Sequence, residues 1–207
     1  MLFSSIPFLY YFLPPVLALY FFSPKKWRNA VLLLASLIFY GWGEPRYVLL
    51  MLVSVFFGYL FGLLIERFRE TPASKAACIL SVAVSLSFLL YFKYTDFFLE
   101  SFNAVTGQNI PLLKIALPIG ISFYTFQVIS YTIDVYRGVP AQKSFVRLAA
   151  YISMFPQLIA GPIVRYSDIA AQLEERTLSV SAAAAGIRRF ILGLAKKILL
   201  ANQLGEF

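Results

Sequence analysis

Between residues 118 and 138 the chain reads PIGISFYTFQVISYTIDVYRG, a run apolar enough for a bilayer that nevertheless carries hydrogen-bonding groups and one carboxylate. At the helical period, Gln127, Ser130, Tyr131 and Asp134 fall within one arc of about 100°, while Ile121, Phe123, Phe126, Val128, Ile129 and Ile133 take most of the remainder. A carboxylate at membrane depth is costly, so such a group faces the interior of a helix bundle or a water-filled cavity. Two uses fit the stripe equally: a polar seam that fastens helices together, or the lining of a cavity. A second group of polar residues follows in MFPQLIAGPIVR, where Gln157 and Arg165 flank Pro156, Gly161 and Pro162. There is no histidine, the commonest general base and metal ligand, and Cys78 is the single cysteine. No internal disulfide and no cysteine cluster for a metal can form, and no bound cofactor or metal site is expected.

The elements that hold these residues are membrane helices. The chain is 60% hydrophobic and only 14% charged, with 21 Phe, 13 Tyr and 2 Trp, whereas a soluble domain carries about 25% charged residues. Six apolar segments can be marked, at about 6–22, 29–43, 47–65, 76–92, 115–136 and 145–164, against ~20 residues needed per span. Pro14 and Pro15 predict a kink in the first. Gly41, Gly43 and Pro45 predict a tight turn that makes the second and third a hairpin.

The net charge of +8 lies in short loops, where it orients the chain rather than binding nucleic acid. Lys25, Lys26 and Arg28 set loop 23–29 in the cytoplasm and the N-terminus outside. Loops 23–29, 66–75 and 137–147 then carry nine Lys or Arg residues, against three for 44–46 and 93–114. The first helix is followed, not preceded, by basic residues, unlike a cleaved signal. Broken backbone in the sixth segment is tolerated only within protein or beside water. A re-entrant path keeps Arg165, Arg176, Arg188, Arg189, Lys196 and Lys197 on the cytoplasmic side, and re-entry is the expectation. Residues 180–204 predict an amphipathic helix, with Ile187, Phe190, Ile191, Leu194 and Ile198 on one face and Arg188, Arg189, Lys196 and Lys197 on the other. Such a helix suits the membrane surface or the ends of the bundle.

The fold class expected is therefore an all-α polytopic membrane protein with about five transmembrane helices, a re-entrant broken helix and a C-terminal amphipathic helix. Periodicity stops at a polytopic membrane protein with a polar seam and a broken helix, and a small transporter or channel subunit whose polar stripe lines a permeation path fits that pattern. Inverted repeats, Walker motifs and paired catalytic carboxylates are not seen.

LPIGISFYTFQVISYTIDVYRG (117–138) followed by FPQLIAGPIVRYSDI (155–169) resembles the N-terminal half of the membrane-bound O-acyltransferase superfamily. MLFSSIPFLYYFLPP, FYGWGEPRYVLL (39–50), YFKYTDFF (91–98) and RRFILGLAKKILLANQLG (188–205) are similar to its bacterial alginate O-acetyltransferase branch, and to related teichoic-acid D-alanyl transfer proteins. The resemblance implies that 1–207 is the N-terminal part of a single membrane domain. Members of this superfamily run to more than twice this length and carry their proposed catalytic histidine in a Trp-His-Gly type motif of the C-terminal half. No residue here inherits that role. The resemblance implies transfer of an acyl group from a cytoplasmic donor, acetyl-CoA or a protein-bound thioester, to an extracytoplasmic polysaccharide or a partner acetyltransferase. It places the chain in the bacterial inner membrane among lipid. Gln127, Ser130, Asp134, Gln157 and Arg165 are the candidates for lining the transfer tunnel, each with a structural alternative: Asp134 pairing with Arg137, Gln157 satisfying carbonyls freed by Pro156, Arg165 as a topological charge.

Overall fold

A computed structural model describes residues 4–158, 161 and 164–205, and these contain helices and connecting turns but no strand. The first helix, α1 (Pro7–Phe22), opens as a wide π-helical stretch over Pro7–Phe12 and tightens from Leu13. Pro14 and Pro15 supply no N–H to the preceding turn, and the wide turn absorbs this loss. Then come α2 (Arg28–Gly43), α3 (Val48–Arg67), α4 (Pro72–Thr106), α5 (Ile121–Tyr136), α6 (Phe145–Ser153), α7 (Phe155–Leu158), α8 (Tyr166–Glu174) and α9 (Val180–Lys196).

Helix α5 lies in the middle, packed on α3 and α4, while α6 packs on both α2 and α3. The close approach of α3 to α5 depends on two glycines a turn apart. A Cβ on Gly58 would sit 2.7 Å from Val128 Cγ1, and one on Gly62 would collide with the ring and hydroxyl of Tyr131. Small residues four apart let membrane helices pack backbone to side chain where lipid supplies no hydrophobic drive. A second core, of Phe8, Phe12, Phe39 and Phe155, fastens α1 and α2 to α7.

Several expectations change. Helix α4 does not stop near residue 92; its 35 residues run to Thr106, where Gly107 at φ +70° ends it. Nearly two thirds of the loop expected at 93–114 is therefore helix, because its polar residues are spaced among Phe97, Phe98 and Phe102 and interrupt nothing. At 1.5 Å per residue α4 exceeds a ~30 Å hydrocarbon core. Helices α2 and α3 share a tight turn but separate beyond it, since α6 occupies the angle between them. Among the described residues two helices are long and apolar enough to cross a membrane, Pro45–Arg67 and Pro72–Thr106, with α1 a shorter apolar helix. Only 33% and 11% of the apolar windows of those two are buried, so their hydrocarbon faces outward as in lipid. Helices α2 and α5, of 16 residues each, reach ~24 Å, short of a full span on length alone.

The loops sort onto two faces. Glu66 accepts from the Ala141 N–H at 3.1 Å and pairs with Lys143, and Arg69 donates to the Val139 carbonyl at 3.1 Å. Residues 25–30, 144, 146–147 and 172–177 border one cleft. The three basic loops thus share a face, while the Tyr47 hydroxyl reaches the Ala116 carbonyl on the other at 2.8 Å. Helix α6 leaves the basic face, breaks at Met154, and the chain is back there by α8, where Glu174 meets Arg147 at 3.5 Å. Of the broken segment, 159–160 and 162–163, including Pro162, lie outside the described residues. Helix α9 begins at Ser179, whose hydroxyl accepts from Ala182 N–H, and none of its residues is buried; Ile187 and Ile191 stand open.

Candidate functional site

The polar side of α5 meets α6, α8 and the loop between α5 and α6. Tyr131 is wholly buried, and its hydroxyl accepts from the Gln142 N–H at 3.1 Å. Gln142 in turn donates through Nε2 to the Tyr166 hydroxyl at 3.4 Å and accepts from the Ser144 N–H at 3.1 Å. The Tyr166 ring stands edge-on to Tyr131 with centroids 4.9 Å apart, and Tyr151 packs beside it at 5.7 Å. Burial pushes the Tyr166 phenol above its ordinary pKa, and the Gln142 hydrogen bond works against that rise. The Tyr151 hydroxyl donates to the Val164 carbonyl at 2.8 Å. Three tyrosines and one glutamine thus clamp both ends of the broken segment onto α5.

Of the five candidates, Gln127, Ser130 and Asp134 share α5. Gln127 is 2% exposed, and its Oε1 has no hydrogen-bond partner among the described residues. Ser130 is half-buried. Asp134 does not pair with Arg137. Its carboxylate instead accepts from the Ser167 N–H at 3.5 Å, in the first turn of α8, where the helix dipole favours an anion. Arg165 is exposed and immediately precedes α8, so α8 brings it near Asp134 in the fold. Gln157 lies on α7, within the broken segment. The Phe155 N–H that would close the helix onto Tyr151 is drawn to Ser36 Oγ at 3.2 Å, and the Gln157 amide donates to the Tyr151 carbonyl in its place.

Sequence reasoning missed Tyr40, Tyr124 and Gln142. The Tyr40 and Tyr124 hydroxyls are buried in the main core without a partner among the described residues, as is Ser81 Oγ. Buried polar atoms are nearly always paired, so these hydroxyls and Gln127 Oε1 mark places in the helix interior where hydrogen-bonding capacity is unspent. For Tyr124 the signal that existed is its spacing from Tyr131, seven residues and two turns. Chemically, phenols and amides of this kind orient a hydroxyl or carbonyl by hydrogen bonds. They supply neither a strong base nor, among the described residues, a group of His, Cys, Asp or Glu able to hold a metal.

Compared with known proteins, residues 37–207 match the membrane-bound O-acyltransferase family. The chain belongs to that family. It is therefore a membrane protein of this family's all-helical kind. It is 44% identical over 99% of its length to a protein described as a probable alginate O-acetylase in Pseudomonas aeruginosa, covering 40% of that protein. A protein of the same description in Azotobacter vinelandii is 42% identical over 99% of the chain and is covered to 42%. A peptidoglycan O-acetyltransferase of Helicobacter pylori is 32% identical over 99% of the chain and is covered to 44%. The chain thus spans about two fifths of the length of these relatives. No solved structure matches it.

Proposed function

We propose that this chain is the N-terminal scaffold of a membrane O-acetyltransferase that modifies an extracytoplasmic polysaccharide. The carrying observation is the similarity to probable alginate O-acetylases along 99% of the chain, and the peptidoglycan O-acetyltransferase widens the acceptor to a cell-envelope glycan. In this reading the donor is acetyl-CoA or a protein-bound thioester that arrives from the cytoplasm. The acceptor is a polysaccharide hydroxyl, met directly or through an extracytoplasmic acetyltransferase partner. Such a transfer needs a general base within hydrogen-bond reach of the hydroxyl, and the chain has no histidine to serve. That base belongs to a C-terminal half, and this half forms the wall against which it works.

The orientation follows from charge. The face shared by loops 23–29, 66–75 and 137–147 is cytoplasmic, the N-terminus lies outside in the bacterial inner membrane, and the 145–164 segment is re-entrant. Support for re-entry comes from the return of α8 to the face that α6 leaves. Gln127, Ser130, Asp134, Gln157 and Arg165 line the path around that segment.

Inside-out membrane vesicles carrying the protein at its full encoded length, given acetyl-labelled thioester and a soluble polysaccharide in the lumen, test the reading. Label in ester linkage to the luminal glycan is the expected result, and none from the 207-residue chain alone. Label confined to the donor side, with the protein inserted at normal levels, would contradict it.

A further inference from the structure

Two concave features adjoin on the basic face. The first is a cleft of about 700 Å³ between the start of α2, the start of α6 and the end of α8. Lys25, Lys26, Arg28, Arg147 and Arg176 line it against two carboxylates, Glu174 and Glu175, and Glu174 is already engaged by Arg147. The remaining cations have no carboxylate partner among the described residues. Lys25, Lys26 and Arg28 lead into the first turn of α2, the positive end of its dipole, with no acidic residue in that turn. Arg28 and Arg176 lie 5.8 and 6.0 Å from the centroid of one ring, that of Tyr20. Arg176 also donates to the Tyr20 hydroxyl at 3.2 Å, so a neutral side chain is shared by two guanidinium groups and neutralises neither. Arg28 Nε and Asn29 Oδ1 are sealed from solvent with no hydrogen-bond partner among the described residues.

The second feature is an apolar groove of about 380 Å³ walled by Val16, Leu17, Phe21, Leu32 and Ile169. Gln172, Leu173 and Arg176 border both features, so the charged cleft opens into the apolar groove. The combination suits a molecule with an anionic head and a hydrocarbon chain. We propose that cleft and groove form one binding site for an anionic phospholipid, with its phosphate among Arg28, Arg176 and Lys25 and one acyl chain along Leu17 and Leu32. Basic pockets between membrane helices take such headgroups, and Trp27 at the rim, 62% exposed, suits the interfacial zone. A soluble phosphate ester would occupy the cleft and leave the groove bare. The proposal does not depend on the acyl-transfer reading.

The test is lipid retention by the protein at its full encoded length, purified, delipidated and exposed to phosphatidylglycerol or phosphatidylcholine, with bound lipid counted by native mass spectrometry. Phosphatidylglycerol is expected to be retained about tenfold over phosphatidylcholine. The pair Arg28→Gln with Arg176→Gln removes that preference. Leu32→Trp, which fills the groove and leaves every charge in place, lowers retention. Lys114→Gln, in the loop on the opposite face and outside the cleft, changes nothing. Should the arginine pair prevent folding, the exposed pair Lys25→Gln with Lys26→Gln carries the same expectation. Equal retention of the two lipids by the unaltered protein would overturn the proposal, as would a preference that survives loss of the cations. Competition by inorganic phosphate with no response to Leu32→Trp assigns the cleft to a soluble phosphate and overturns the lipid.

Discussion

Asp134 is the carboxylate of the polar seam, and its setting separates two roles that its position on a helix leaves mixed. Its bond to the Ser167 N–H is long and lies at the protein surface, so as a helix-terminus anion it contributes ~0.3–1 kcal/mol. Asp134→Asn in the protein at its full encoded length is therefore expected to unfold within about 1 kcal/mol of the parent, while acetyl transfer per unit of inserted protein falls. An unchanged ratio would leave Asp134 as a helix cap only. Gln157 behaves oppositely. Gln157→Leu leaves the Tyr151 carbonyl buried without its side-chain donor, a loss of ~1–3 kcal/mol readable as a lower midpoint of thermal unfolding in detergent. A variant as stable as the parent would show that the Tyr151 carbonyl finds another donor. The type and spacing of both residues are legible in the chain. Their partners are not, since Ser167 lies 33 residues beyond Asp134, and Ser36 takes the Phe155 N–H from 119 residues away.

Helices here are held by fit more than by polar bonds. Gly62 faces the Tyr131 hydroxyl, which cannot swing aside because Gln142 and Tyr166 fix it. Gly62→Ala is expected to cost ~1–3 kcal/mol of overpacking, measured as a lower unfolding midpoint. Adding Tyr131→Phe should recover part of that loss, a coupling that a double-mutant cycle reads directly. Strict additivity of the two changes would mean that the hydroxyl is not what the new methyl meets. The apolar runs located α1, α2 and α3 within a few residues, because hydrophobic length alone sets them; they found the end of α5 but not its start, which lies at Ile121 rather than 115 because Pro118 and Gly120 hold the preceding apolar residues out of the helix. They did not locate the end of α4, since a helix that leaves the bilayer keeps its geometry after its hydropathy has fallen. Nor did they reveal that α6 separates α2 from α3, which depends on the shape of three helices together.

At the scale of the molecule, the grouping of three basic loops on one face is where charge counting and geometry meet. In a Cys78→Ser background, Cys at Asn109 should react with an impermeant thiol reagent added outside, and Cys at Lys143 or Val180 should not. Labelling at 180 without labelling at 143 would make 145–164 a true span and remove the re-entrant reading. The family was legible in ordered sequence motifs from end to end. The candidate site was legible only as a stripe, because its tyrosine clamp is assembled from α5, a loop, α6 and α8. The central claim is that this half serves a glycan O-acetyltransferase. The most direct measurement is the acetyl ester content of alginate secreted by a strain that has lost its own O-acetylase and received this gene at its full encoded length. The account predicts restored ester for that gene and none for residues 1–207 alone. A polymer without ester despite normal insertion of the longer protein, or ester made by residues 1–207 alone, would contradict it.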